Sequence, residues 1–134
     1  MDRPELEERS ARFGLDIAVL CDHLTSVNGP RRQIEQLLDC STAVGANYRA
    51  TSRSRSRKEF AAKIGVVAEE ADEAVHWLEF FQTRKCGDPK RLVPLLREAK
   101  ELRAIFAAAG ATSRRPREND KGKSAAKKRE SDPG

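Results

Sequence analysis

The sequence predicts an all-α fold, an antiparallel up-down four-helix bundle, and three observations carry that prediction. Alanine, leucine, glutamate, lysine and arginine dominate, while aromatics make up only 5% of the 134 residues. That composition favours helices and lacks the β-branched and aromatic positions that a sandwich or barrel packs with. Apolar residues recur at steps of three and four along four stretches, the spacing of one buried helical stripe each. The breaks between the stretches are short, which makes successive helices antiparallel neighbours. A chain of this length forms one domain with a modest core.

The first stripe, Phe13, Ile17, Leu20, Cys21 and Leu24, predicts a helix from about Arg12 to Ser26, so residues 1–11 read as an N-terminal leader. Asn28-Gly29-Pro30 breaks it, and Pro30 suits the first position of the next helix, where a missing N–H costs nothing. Helix 2 carries Ile34, Leu37, Leu38, Ser41, Val44, Gly45 and Tyr48 and ends near Ser52. Its serines compete for backbone hydrogen bonds there. Ser56 then caps helix 3, with Glu59 completing a capping box. Phe60, Ile64, Val67, Ala71, Val75, Leu78 and Phe81 hold the period to about Lys85. Gly87 stops helix 3, Asp88 caps helix 4 and Pro89 opens it. Leu92, Leu95, Leu96, Ala99, Leu102 and Phe106 form the last stripe, which Gly110 ends. The bundle therefore spans 12–110.

Residues 111–134 hold eight basic side chains against four acids, so this tail carries four of the chain's five net positive charges. It has no large apolar side chain, and such a segment is expected to be a disordered basic arm. The longest apolar run, Ala104 to Ala111, is far short of a membrane span. The acidic start of the chain is no secretory signal, and three cysteines make no disulfide framework. Together these point to a cytoplasmic protein with no membrane association.

Catalytic chemistry is not indicated. Glu73 and His76 have the Glu-x-x-His spacing of di-iron bundles, but the second copy that such a site needs is missing, since His23 lacks a glutamate three residues ahead of it. The cysteines have no neighbouring His–acid arrangement, and Gly45 stands alone within a helix rather than in a phosphate loop. No enzyme, metal or cofactor is expected. What stands out is charge: Arg49, Arg53, Arg55, Arg57 and Lys58 place five cations in ten residues with no acid among them. Guanidinium groups so clustered suit the phosphates of RNA or DNA. Apolar residues off the main stripes, Ala43 and Ala46 on helix 2 and Val66, Ala74, Trp77 and Phe80 on helix 3, predict a second buried face against another subunit.

Val44-Gly-Ala-Asn-Tyr-Arg, then Arg53, Arg55-Ser56, Phe60, Lys63 and the run Glu70-Ala-Asp-Glu-Ala-Val-His-Trp-Leu-Glu79, carry a resemblance across most of residues 13–109. The chain resembles the small four-helix-bundle proteins named after intervening sequences of large-subunit ribosomal RNA genes. It also looks related to the accessory variability determinant of diversity-generating retroelements. The resemblance implies a homopentameric barrel, basic and non-catalytic, that binds nucleic acid and a reverse transcriptase. Asn47 matches the asparagine of the family's Ala-Asn step, and Glu70, Glu73 and Trp77 match its helix 3 signature; a buried polar layer fixing register is the role this implies. Ala50 stands where an acid usually follows that step, which leaves the Arg49–Lys58 segment more positive. The reading is an accessory protein contacting nucleic acid, with a protein-interaction adaptor, for example for a reverse transcriptase, as the alternative.

Overall fold

The computed structural model describes residues 1–114 and contains four long helices, with no strand among the described residues. They are α1 (Arg3–Ser26), α2 (Arg31–Ala50), α3 (Arg57–Thr83) and α4 (Pro89–Arg114), with a single 3₁₀ turn, Thr51–Arg53, after α2. All four contribute to one core in which Phe13, Phe81 and Phe106 are the largest fully buried side chains. Trimming one of these rings to alanine would cost about 3–5 kcal/mol. The main stripe read from the sequence is the buried one on every helix: Ile17 and Leu24, Leu37 and Val44, Ile64 and Leu78, and Leu102 are all excluded from solvent.

Helix α1 starts at Arg3, well ahead of the predicted Arg12. Asp2 supplies the reason, its carboxylate accepting the Glu5 amide at 2.9 Å, while Pro4 occupies the first turn, where a missing N–H is tolerated. Leu6 and Ser10 are buried, so residues 3–11 belong to the packed body rather than to a leader. At the other end, α4 passes the predicted stop at Gly110 and runs to Arg114. The tail assigned to 111–134 otherwise lies outside the described residues.

The turns obey the sequence more closely. Ser56 caps α3 by accepting the Glu59 amide at 3.0 Å. Between α3 and α4, Lys85 and Gly87 take positive φ, 55° and 82°, and Asp88 accepts the Lys90 amide at 3.0 Å. Glycine at 87 is required twice over, because a Cβ there would also lie 2.7 Å from Leu24 Cδ2.

Each helix packs chiefly on its neighbours in sequence, and α1 also meets α4 along a shorter seam. Their seam is closed by Arg9 of α1, whose guanidinium grips both Glu98 and Glu101 of α4 and is held firmly protonated by the hydrogen bond to Glu98. Helices α1 and α2 approach closely at Gly45, where an added Cβ would lie 3.2 Å from backbone atoms of Ser10 and Ala11.

The second apolar face predicted for helices 2 and 3 is absorbed by the chain only in part, since Val66 is 45% exposed and Ala46 is also exposed. Ala74 is fully buried, and Trp77 and Phe80 pack half-buried against the core, their rings meeting edge-to-face at 5.6 Å. Further apolar exposure lies on α1, where Leu15 and Val19 are 60% and 59% exposed. Sequence reading missed it because both residues sit off the main stripe of a helix whose stripe was already complete.

Candidate functional site

The basic segment is split by a change of direction. Helix α2 ends at Ala50, the 3₁₀ turn carries Arg53, and Ser54 is extended before α3 begins at Arg57. Arg49, Arg53 and Arg57 therefore share no continuous helical face. The break has a local cause: Thr51 donates to the Tyr48 carbonyl at 2.6 Å, Ser52 to that of Arg49 at 2.9 Å, and Ser54 to that of Thr51 at 2.7 Å. These side chains compete for the carbonyls that end the helix and tighten its last turn.

The turn creates a concavity of about 870 Å³ at the α2–α3 junction. Three arginines line it: Arg55, Arg57 and Arg3, the last brought from the start of α1. Arg3 is fixed in place, its guanidinium donating to the Tyr48 carbonyl at 3.1 Å and to Thr51 Oγ1 at 3.0 Å while lying 4.7 Å from the centre of the Tyr48 ring. Arg57 donates to the Ser113 carbonyl at 3.5 Å, which ties the end of α4 to the wall. Arg55 forms an exposed ion pair with Glu59 at 3.2 Å. Lys63, hydrogen-bonded to Glu59 at 3.1 Å, holds that carboxyl below its ordinary value, and Arg55 adds to the effect.

The predicted cations are thus divided among three places. Arg55 and Arg57 line the junction concavity, while Arg53 and Lys58 are exposed beside it in the turn and the first turn of α3. Arg49 lines a different hollow, of about 680 Å³, between α1 and α2, together with Glu7 and Glu8. Sequence reading missed Arg3, and no local pattern links position 3 to position 51. It also missed Phe60, which lines the same concavity while packing against the core.

The residues expected to form a polar layer are not in the core. Asn47, Glu70 and Trp77 are half-buried and Glu73 is exposed, because the main stripes of α2 and α3 already fill the interior with apolar groups. Partial burial raises the Glu70 carboxyl above its ordinary value, and the charges of Glu73 and Glu69 raise it further. His76 is exposed and stacks edge-on to Trp77 at 4.7 Å. Among the described residues no group of three or more His, Cys, Asp or Glu side chains is placed to hold a metal ion. No helix among them is long and apolar enough to cross a membrane.

No family model and no curated protein matches the chain. A solved structure does, that of a protein of unknown function from the S23 ribosomal protein family of Bacteroides thetaiotaomicron. It aligns with a TM-score of 0.73 at 22% identity, over 78% of this chain and 96% of that one. At that identity the likeness is one of fold.

Proposed function

We propose that this protein is a non-catalytic accessory or scaffold protein that binds RNA or DNA through the α2–α3 junction, as an antiparallel up-down four-helix bundle. The observation that carries the reading is the concavity where Arg3, Arg55 and Arg57 converge from two distant parts of the chain, flanked by exposed Arg53 and Lys58. Guanidinium groups on a rigid frame make bidentate contacts to phosphate, and several of them together give salt-sensitive affinity for a polyanion. The helix order supports an up-down path, since Arg3 at the start of α1 meets Thr51 just past the end of α2, and Arg57 at the start of α3 meets Ser113 near the end of α4. The ribosomal family name borne by the structural neighbour fits an RNA ligand.

The bundle works as a homo-oligomer, a homopentamer if the resemblance extends that far, and in the cytoplasm. Exposed Leu15 and Val19, one helical turn apart, support this, with Leu15 at the edge of a hollow that also holds Ala11, Gly14, Ala18 and Ala46. The same face favours the second reading, an adaptor whose partner is a protein such as a reverse transcriptase. Binding of RNA and DNA at two salt concentrations tests the first reading. The double variant Arg53→Ala, Arg57→Ala is expected to bind more weakly and to reduce the salt slope by about 2. Unchanged affinity and slope, in a variant that melts normally, would remove the junction from the site.

A further inference from the structure

Several of the hydroxyl groups around the junction concavity present acceptors to it. Ser52 and Ser54 each give their hydrogen to a backbone carbonyl, and Ser113 does the same toward Ala109 at 2.7 Å, whereas the buried Thr51 already accepts from Arg3 and Ser56 accepts the Glu59 amide. A hydroxyl has one hydrogen and two lone pairs, so with the hydrogen spent inward it offers the cavity acceptors. A phosphate has no hydrogen to give such acceptors at neutral pH. A nucleobase does, in its amino and imino N–H groups, and the ribose 2′-hydroxyl does as well.

The remaining lining fits the same ligand. Phe60 contributes a ring that is backed by the core, and rigid aromatic faces are where unpaired bases stack. Arg55 and Arg57 stand beside it, one on each side of the Ser56 cap. An open hollow of about 870 Å³ has room for one nucleotide, whereas a duplex offers it only a convex backbone, with the bases paired and turned inward.

Resting on the nucleic-acid reading, we infer that the α2–α3 junction takes an unpaired nucleotide, its base on Phe60 with N–H groups toward the hydroxyl acceptors and its phosphate at Arg55 and Arg57. The protein is then selective for single strands. Selectivity comes from the ring and the acceptors, and strength from the arginines.

The test compares three ligands on the full-length protein: a mixed-sequence single-stranded RNA, the matching duplex, and polyphosphate as a polyanion without bases. The variant is Phe60→Leu, which keeps an apolar contact with the core and removes the aromatic face, with its melting temperature checked against the wild type. The expected result is tighter binding of the single strand than of the duplex. Phe60→Leu should weaken the single strand about 5- to 50-fold and leave duplex and polyphosphate unchanged. Equal binding of strand and duplex, or a Phe60→Leu variant that binds the strand like wild type, overturns the inference while leaving a phosphate-binding site standing. Failure of the wild type to bind either RNA overturns the nucleic-acid reading itself.

Discussion

His23 Nε2 accepts a hydrogen bond from the backbone N–H of Asp88 at 2.9 Å, joining the last turn of α1 to the residue that caps α4. The bond satisfies an amide that the α3–α4 turn leaves without a helical partner, and it places the imidazole against Gly87. Replacing His23 with alanine is expected to cost about 1 kcal/mol in a denaturant titration. In the same variant the Asp88 amide should exchange faster with solvent. An unchanged exchange rate would mean that the amide finds another acceptor.

Gly14 and Gly45 face the same α1–α2 contact with different tolerance. A Cβ at Gly14 would meet Thr42 Cα at 3.4 Å, an ordinary contact, whereas one at Gly45 would meet three backbone atoms at 3.2 Å. Gly14→Ala should therefore be neutral or stabilising by up to about 1 kcal/mol, the helix-propensity gain of alanine over glycine. Gly45→Val forces two backbones apart and should destabilise by about 1–3 kcal/mol. Thermal melts of the two variants check the contrast.

Ser10 is fully buried beside that contact, and its hydroxyl has no hydrogen-bond partner among the described residues. Ser10→Ala removes an unsatisfied polar group at almost no change in volume. A gain of about 1 kcal/mol is expected from urea unfolding.

Burial pushes the Cys21 thiol up to about 11 and the Cys40 thiol up to about 12, whereas Cys86 is only half-buried. Thiol titration of the folded protein at pH 8 should find Cys86 alone, and Cys86→Ser should leave no fast-reacting group. The same shifts set a pH dependence. In the unfolded chain both buried thiols return to near 9.0, so they lose protons there before the folded state does. The thiols' contribution to stability is therefore constant below about pH 8 and falls as pH rises through 9 toward 11. Replacing both cysteines with alanine should flatten that fall.

If the α1 face is where copies meet, Leu15→Glu with Val19→Glu should shift the sedimentation coefficient to that of a single chain. Both side chains are more than half exposed, so the melting temperature of the separated chain should change little. An unchanged sedimentation coefficient would assign the contact between copies to another face.

The helices were legible because their apolar periodicity and their caps agreed: the Ser56 cap, Gly87 and Asp88 stand where local chemistry requires them. The start of α1 was not, because Arg3 to Ala11 carries only Leu6 as a large apolar residue, and its burial depends on neighbours far along the chain. The site was legible as a density of charge and not as a shape. Arg49 shares a segment with Arg57, yet the serines between them turn the chain and send the two to different hollows. Arg3 and Phe60 became readable only through packing, one reaching across from another helix and the other seated on the core.

The junction concavity has walls from residue 3, from residues 51–60 and from residues 112–113. During synthesis the first of these emerges long before the last, and the hollow does not exist until α4 has folded back against α3. A half-made chain thus carries its cations without the complete hollow. Under the proposed function, a chain cut short before residues 112–113 lacks one wall of this site and loses binding there even where its arginines are intact.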